Sequence, residues 1–497
     1  MVYTKMNTGG FNMNGLLAWM EKYVLPTAAK IGAQKHLVAL RDAFIGTMPA
    51  TMAGSVAVMI NAIIRDLPPQ FISTYADNLA ADKGIYAVIN VIIGINGFVW
   101  NGTLAVAGLI FAFSWGYNLA KAYGVNDLAG GIVSLATLIS GIAFAPNMTK
   151  DLAVTIPENI ANAINASETG ASITGSQLTV APWGWLNLNH LNGNAFFTVM
   201  IMGAISTIIF CKLMNANITI KMPDSVPPAV SKAFAAIVPA TVALYVVGII
   251  NFIVSKVSGG QLLIDLIQKY IAEPFLGLSQ GLGAVLIVTV FVQLFWFFGI
   301  HGPNVLAPVL EGIWGQAQLI NVDIFQKGYN GQTGTQAVLD AIQDGKAYMW
   351  VRGSFDAFAW FGGSGGTLVL ILAILIFSKR ADYLTVGKLS LGPGLFNINE
   401  PVMFGLPIVL NAIMFIPFVV APLFATSIGW LATYFGLVAP VSQQTVWVTP
   451  PLLLSFLATG ADWRAPIVTL VCMIVTFFIW MPFVIAANKI DAPLEEN

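Results

Sequence analysis

Two ionisable side chains lie inside long apolar stretches of this sequence, and both are of types that can hold or transfer a proton. His301 lies in QLFWFFGIHGPNVLAPVL, and Glu400 lies in FNINEPVMFG. An ionisable group inside a membrane-spanning region is costly unless it faces a cavity or a partner, so each is a functional candidate. An imidazole beside a carboxylate is suited to binding polar groups and to proton transfer.

Proline and glycine surround both candidates. Pro303 and Pro401 follow the two ionisable residues closely, and each proline removes a backbone donor and interrupts a helix. Broken helices at membrane depth are typical of substrate sites in transporters. The alternatives are structural: His301 bonds a carbonyl group that Pro303 frees, or Glu400 belongs to an ion pair.

The stretch WFGGSGGTLVL, residues 360–370, predicts a third break in the helical pattern. Four glycines around a serine favour the tip of a re-entrant hairpin, or a loop whose backbone amides approach a ligand closely. Gly363, Ser364 and Gly365 are the candidate ligand contacts in this loop. The alternative is close packing of two helices, because Gly362 and Gly366 have the spacing of that motif.

Aromatic residues accompany the polar candidates. Trp296 precedes His301 by five residues, and Trp447 lies in SQQTVWVTPP, another stretch broken by proline. Flat apolar rings beside hydrogen-bonding groups suit a sugar, whose C–H face packs on an aromatic ring. Packing or a position at the membrane interface remains the alternative for each tryptophan.

The elements that must position these residues are membrane-spanning helices. Of the 497 residues 57% are hydrophobic and only 9% are charged, and the mean hydropathy is +0.79. Nine windows lack Lys, Arg, Asp and Glu, and three of them exceed the length of one crossing, which predicts about ten helices. The windows are 43–64, 84–120, 128–149, 194–211, 233–255, 274–310, 357–378, 401–461 and 465–488.

Polar stretches divide the apolar windows. Residues 150–193 form a long loop rich in Asn, Ser, Thr and Gly, and residues 212–232 carry mixed charge and a proline pair that predict a hinge. We therefore expect an N-terminal membrane domain, residues 1–220, and a C-terminal substrate-binding domain, residues 221–497. The N-terminus predicts an amphipathic helix on the membrane surface, with one apolar face formed by Leu17, Met20, Val24 and Ala28.

Several classes of protein are disfavoured by what the sequence contains. A net charge of −1 without a basic cluster argues against nucleic acid as a partner. The sequence has no phosphate-binding loop of the ATPase type, no cluster of metal ligands and no cofactor motif. Cys211 and Cys472 lie in or beside apolar windows and are expected to be packing residues. The energy for any transport must come from an ion gradient or from a partner protein.

Five motifs together give a resemblance to a known family. They are RDAFIGTMP (41–49), MPDSVPPAV (222–230), FWFFGIHGPN (295–304), GGSGGTL (362–368) and FNINEPVMFGLPIVLN (396–411). The chain resembles the membrane-embedded IIC component of the bacterial phosphoenolpyruvate-dependent sugar phosphotransferase system, in its lactose, N,N′-diacetylchitobiose and cellobiose branch.

The resemblance implies an all-α membrane protein with ten transmembrane helices, two re-entrant hairpins and elevator-type transport by the C-terminal domain. It implies a homodimer in a bacterial cell membrane, held by the N-terminal half, and a polar loop that is cytoplasmic. It places the sugar-contacting histidine at His301, the glutamate at Glu400 with Asn399 beside it, and two tryptophans at Trp296 and Trp447. A sugar 6-hydroxyl would attack a phosphocysteine of IIB, with Glu400 or His301 as the proton acceptor.

The chain ends about ten residues beyond its last apolar window, so separate IIB and IIA proteins are expected. A β-linked disaccharide of the cellobiose or chitobiose type is the expected substrate. A proton-coupled disaccharide symporter, with His301 and Glu400 as a proton relay, is the first alternative. A membrane sugar sensor that no longer transports is the second.

Overall fold

The structure is a computed structural model. It describes residues 33–144, 148–152, 154–167, 171–180, 184–223, 225–406, 408 and 412–488, with isolated positions 22, 26 and 30. The predicted amphipathic helix, with the apolar face of Leu17, Met20, Val24 and Ala28, lies outside the described residues.

The described chain is mostly helical. Up to residue 215 the helices are α1 (Lys35–Asn61), α2 (Tyr75–Ala80), α3 (Ile85–Asn101), α4 (Ala107–Ala122), α5 (Asp127–Ser140), α6 (Glu158–Asn165), α7 (Phe196–Thr198) and α8 (Ala204–Asn215). From residue 228 they are α9 (Pro228–Val257), α10 (Leu263–Ile267), α11 (Glu273–Leu278), α12 (Leu282–Phe297), α13 (Gly302–Val305), α14 (Ala307–Val309), α15 (Gln316–Lys327) and α16 (Gly334–Gln343). The remaining helices are α17 (Arg352–Phe358), α18 (Thr367–Phe377), α19 (Ala381–Leu395), α20 (Glu400–Gly405), α21 (Ala412–Tyr434), α22 (Pro451–Ala458) and α23 (Arg464–Ala487). Short π-helical segments occupy Ala62–Asp66, Val199–Gly203, Gln268–Ala272 and Leu310–Gly315.

Several helices are long and apolar enough to cross a membrane. Among the described residues there are six: Lys35–Asp66, Ile85–Ala122, Gly193–Asn215, Pro228–Val257, Met414–Tyr434 and Arg464–Ala487. The broken pair Leu263–Leu278 and Leu282–Phe297 is a seventh candidate, and α5 and α18 are shorter apolar helices. The chain is therefore an α-helical multi-span protein, while its total of about ten crossings stays a prediction.

Residues 105–274 form one compact unit. Within it α4 and α5 pack closely because small residues face each other, and a Cβ atom at Gly116 would overlap the carbonyl oxygen of Gly130. The start of α5 is capped by Asn126, whose side-chain oxygen accepts a hydrogen bond of 3.2 Å from the Ala129 N–H.

The predicted polar loop, residues 150–193, contains part of a small antiparallel sheet. Strands β1 (Met148–Asp151), β2 (Ala171–Thr174) and β3 (Gln177–Val180) pair in the order β1–β3–β2. In the register of β1 on β3, Thr149 lies opposite Thr179, and their hydroxyl oxygens are 3.1 Å apart. The described part of this segment therefore has its own backbone pairing.

The described residues of Met1–Leu104 and Phe275–Asn497 form the second compact unit. At its centre α18 packs against α19 and α23, and Leu370, Ile371 and Ile374 have no exposed surface. The domain boundary expected near residue 220 stays a prediction.

Both cysteines are buried thiols, in accordance with the role in packing predicted for them. Cys211 in α8 and Cys472 in α23 each have 0% exposed surface. Cys211 belongs to an apolar cluster with Phe210 and Ala243, and the Cys472 thiol donates to the carbonyl oxygen of Ala425.

Candidate functional site

His301 lies at a tight reversal of the chain after α12. A Cβ atom at Gly302 would overlap the carbonyl oxygen of Val292 and would lie 3.1 Å from Trp296 Cδ1, so only glycine allows the chain to return so close to the helix. His301 is the N-cap of α13, and its Nδ1 accepts a hydrogen bond of 3.2 Å from the Asn304 N–H.

This backbone hydrogen bond defines the tautomer of the neutral imidazole. Because Nδ1 is an acceptor, the ring proton of His301 lies on Nε2. Nε2 lies 3.8 Å from Glu400 Oε1, which is too long for a direct hydrogen bond. One oxygen atom can lie within hydrogen-bonding distance of both groups. The two side chains are 37% and 47% exposed, so both are accessible to a ligand.

Glu400 is positioned by the turn that precedes α20. Asn397 in this turn has a φ of 62°, in the left-handed region that asparagine tolerates. Its side-chain oxygen accepts from the Gly362 N–H at 2.8 Å, and its amide nitrogen donates to the carbonyl oxygens of Trp447 at 2.7 Å and Thr449 at 2.9 Å. The buried Asn397 side chain therefore links three separate segments beside Glu400.

Ser364 makes a second link across the site. Its hydroxyl oxygen accepts a hydrogen bond of 2.7 Å from Trp296 Nε1, and its carbonyl oxygen accepts one of 2.9 Å from Asn399 Nδ2. The side chains of Trp296, Ser364 and Asn399 are all at least nine-tenths buried. Hydrogen bonds of this kind maintain the orientation of α12, the glycine loop and the start of α20.

The glycine loop, residues 360–366, is a compact non-helical turn in front of α18, so the packing of two helices does not account for it. Gly363 and Gly365 have φ values of 98° and 110°, which favour glycine. A Cβ atom at Gly363 would lie 2.8 Å from Asn399 Cβ, and one at Gly365 would lie 2.6 Å from a ring carbon of Phe418. The Cα atoms of Gly363 and Gly365, both predicted to contact a ligand, thus pack against Asn399 and Phe418.

The aromatic residues differ sharply in exposure. Trp296 is only 1% exposed, and its ring lies beneath His301 with a centroid separation of 4.5 Å. Trp447 is 39% exposed, and Phe404 is 61% exposed with its ring centroid 6.2 Å from that of Trp296. In this structure the ring of Trp296 therefore packs against His301 and has almost no exposed surface.

The predicted residues His301, Glu400, Asn399, Trp296 and Ser364 thus come together, although they lie on separate elements. Trp447 joins the group through its backbone carbonyl. Sequence reasoning missed Asn397 and Phe404, which lie in the same FNINEPVMFG stretch as Glu400. Their proximity to the conspicuous glutamate is the only local signal for them.

A partly buried charge network near the glycine loop was also missed. Arg352 Nε donates to Glu311 Oε1 and its Nη1 donates to Asp356 Oδ2, both at 2.9 Å. The guanidinium carbon lies 4.6 Å from the ring centroid of Trp360, the first residue of the glycine loop. The spacing of Arg352 and Asp356 on one helix is the signal that could have indicated the pair.

The chain is similar to several known proteins. The family model "Phosphotransferase system, EIIC" matches residues 41–422. The PTS system cellobiose-specific EIIC component of Lactococcus lactis subsp. lactis (strain IL1403) is 54% identical, over 96% of this chain and 99% of that protein. The PTS system oligo-beta-mannoside-specific EIIC component of Bacillus subtilis (strain 168) is 30% identical, over 96% and 95%.

A solved structure has the same fold. The crystal structure of the transporter ChbC, the IIC component from the N,N′-diacetylchitobiose-specific phosphotransferase system, matches with a TM-score of 0.78 and 30% identity, over 95% of this chain and 98% of that one. The matched part of the chain includes the turn that carries His301 and the start of α20 with Glu400. The chain therefore belongs to the EIIC family of the phosphotransferase system.

Proposed function

We propose that the chain binds a β-linked disaccharide of the cellobiose or N,N′-diacetylchitobiose type, moves it inward and presents its 6-hydroxyl group to a separate phosphorylated IIB protein. EIIC components work with a sugar and with IIB and IIA partners. The names of the similar proteins, which are specific for cellobiose, oligo-β-mannosides and diacetylchitobiose, support the sugar class.

The arrangement of His301 and Glu400 carries this proposal. The His301 Nε2–H is a donor, and a carboxylate oxygen of Glu400, 3.8 Å away, is an acceptor. A hydroxyl group between them would accept from the imidazole and donate to the carboxylate. This is the polarity that a sugar hydroxyl needs as it becomes a nucleophile.

The phosphoryl transfer then follows from the same geometry. The sugar oxygen forms a bond to phosphorus, the bond from phosphorus to the IIB cysteine sulfur breaks, and the bonding electrons leave with the thiolate. Glu400 takes the hydroxyl proton, while His301 holds the oxygen in line. Positioning contributes most to such a transfer, because the transition state needs little covalent assistance.

Asn399, Ser364 and Trp296 are proposed to keep the side chains of His301 and Glu400 in place. Trp447 is proposed to line the sugar site. Gly363 and Gly365 allow the loop to approach Asn399 and Phe418 closely. We further propose that the chain works as a homodimer held by residues 1–220, and that residues 221–497 carry the sugar by an elevator-type movement.

The test uses the purified protein in liposomes with radiolabelled β-linked disaccharides. Phosphoenolpyruvate, the general phosphotransfer proteins, IIA and IIB are supplied outside vesicles in which the cytoplasmic face of the protein is outward. Sugar loaded inside should emerge as its 6-phosphate only when the relay is complete, and the responsive sugars identify the substrate. Release of unmodified sugar that depends on a proton gradient would instead indicate a symporter.

A further inference from the structure

Helix α20 presents one exposed and one buried face, and its exposed face carries more than the glutamate. Phe404 follows Glu400 by four residues, which places both on the same side of the helix. Val402 and Met403 have no exposed surface, whereas the Phe404 side chain is 61% exposed. The face that carries Glu400 toward His301 therefore also carries an open aromatic ring.

The ring of Phe404 has a rigid support on one side. It lies 6.2 Å from the ring of Trp296 between centroids, with an angle of 57° between the ring planes. Trp296 is itself immobilised, since its Nε1 donates to Ser364 and its ring packs against His301. Of the rings of Trp296 and Phe404, only that of Phe404 is accessible to a ligand, because Phe404 is 61% exposed and Trp296 is 1% exposed.

We propose that Phe404 is the platform on which the apolar face of the sugar ring packs when its hydroxyl group lies between His301 and Glu400. This inference rests on the proposed function and extends it to a residue that determines sugar affinity. A pyranose carries its 6-hydroxyl group one carbon outside the ring. In the proposed pose the hydroxyl is bound by Glu400 and the ring lies beside the next turn of α20, where Phe404 is.

Trp296 and Phe404 are assigned different roles because one side chain is buried and the other is exposed. Trp296 is a positioning residue, because it contacts His301 and Ser364 and has almost no surface of its own to offer. Phe404 contacts the sugar through C–H groups and needs no polar partner. An exposed phenylalanine in a membrane protein also suits contact with lipid, so the experiment has to separate a flat ring from general apolarity.

A leucine at position 404 is apolar but has no flat ring, so it distinguishes contact with lipid from packing against a sugar. Contact with lipid requires only an apolar side chain, whereas packing under a sugar requires a flat face. Phe404→Leu should weaken disaccharide binding on the order of tenfold, while Phe404→Tyr and Phe404→Trp should stay close to wild type. The matched control is Phe424→Leu on α21, where a 52% exposed phenylalanine lies in a candidate span remote in sequence from Glu400.

Two measurements are made on the full-length protein in detergent and in liposomes. Titration calorimetry with cellobiose and diacetylchitobiose gives the dissociation constants, and the reconstituted relay gives KM and kcat. Phe404→Leu should raise KM and leave kcat at saturating sugar nearly unchanged, because the ring does not touch the reacting oxygen. Wild-type affinity in Phe404→Leu would overturn the proposal.

Fluorescence of the Phe404→Trp variant provides a test that does not depend on a loss of activity. Sugar should change the emission of the added indole, in excess of any change in the wild-type protein. An unchanged difference spectrum with sugar bound would also overturn the platform role. If the wild-type protein binds neither sugar, the proposed function fails instead, and calorimetry of the wild type distinguishes the two failures.

Discussion

At the scale of single residues, the site is defined by which atom of His301 carries a proton. The Asn304 N–H donates a hydrogen bond to His301 Nδ1, so the Nε2 of a neutral His301 can only act as a donor toward Glu400. In the proposed mechanism the carboxylate of Glu400 is therefore the proton acceptor of the pair. Two substitutions separate the roles, because amides can reproduce one function of each side chain without the other.

Glu400→Gln should abolish phosphorylation and leave sugar binding largely intact. The amide oxygen still accepts a hydrogen bond from a hydroxyl group, but the amide cannot take up its proton. General-base assistance contributes about 10²- to 10⁴-fold, so the rate of 6-phosphate formation should fall by that factor. The control is Glu158→Gln, which changes an exposed carboxylate in the polar insert. Normal turnover in folded Glu400→Gln protein would exclude the site assignment.

His301→Gln should weaken both binding and phosphoryl transfer, but less than His301→Asn. The glutamine amide nitrogen reaches the position of Nε2, whereas the asparagine amide reaches only that of Nδ1. The hydrogen bond to a sugar hydroxyl is worth about 1 kcal/mol, or roughly fivefold in affinity. Calorimetry and initial rates measure the order of the variants. An asparagine variant that binds sugar better than the glutamine variant would contradict the donor role of Nε2.

The residue types in the broken helices were sufficient to single out His301 and Glu400 as candidates, because ionisable groups and prolines are conspicuous among apolar residues. Asn399 was expected only from the resemblance to the family. Burial was not predictable in the same way. Trp296 and Phe404 are both aromatic residues in apolar stretches, and only the structure shows which of the two side chains is exposed. Periodicity is also uninformative in a stretch as short as α20.

At the scale of elements, the site depends on the turn before α20. Asn397→Gly keeps the left-handed backbone accessible but removes the three hydrogen bonds that link the turn to the glycine loop and to the segment of Trp447. We expect a loss of about 3 kcal/mol in the free energy of unfolding. Asn397→Ala should cost about 1 kcal/mol more, because alanine disfavours a positive φ.

Thermal unfolding in detergent measures both variants. Asn330→Gly is the matched control, since Asn330 also has a positive φ but is exposed, with an amide hydrogen bond to Asp344. Its substitution should have little effect. Equal stability of Asn397→Gly and the wild type would show that the amide does not link the three segments.

The glycine loop was predictable as a break but not as a structure. Glycine content predicts positive φ values and close approach, and both occur at Gly363 and Gly365. Hydrogen bonds between Asn397 and Gly362, or between Trp296 and Ser364, join residues that are distant in the chain. A local pattern contains no information on such partners, and the network of Arg352 with Glu311 was missed for the same reason.

At the scale of the whole molecule, this multi-pass protein of the bacterial plasma membrane has a polar contact across its two predicted halves. Arg65 Nη2 donates to Gln326 Oε1 at 3.2 Å, and Gln326 Nε2 donates to Gln443 Oε1 at 3.3 Å. Helix α1 also packs against α14 in the same compact unit. If residues 221–497 move relative to residues 1–220, the Arg65–Gln326 hydrogen bond and the packing of α1 on α14 form in only one state.

Removing that contact should speed the exchange of unphosphorylated sugar across the membrane. Arg65→Ala and Gln326→Ala should each increase counterflow by a few-fold, because a hydrogen bond worth about 1 kcal/mol no longer stabilises the starting state. In counterflow the double variant should resemble the single variants, since both changes remove the same contact between the halves. The ion pair of Arg65 with Asp66 and the hydrogen bond of Gln326 to Gln443 each lie within one predicted half. Additive effects of the two substitutions, or slower counterflow, would contradict a contact that breaks during transport.

The two buried cysteines give this chain a useful chemical property. A thiol without exposed surface is out of reach of maleimide reagents while the protein stays folded, and both native thiols, Cys211 and Cys472, have none. One cysteine added at an exposed position would therefore be the single reactive thiol, without any need to remove the native pair. Spin or fluorescent labels attached there would record the motion of one chosen helix, and labelling of the unaltered chain would serve as a direct assay for unfolding.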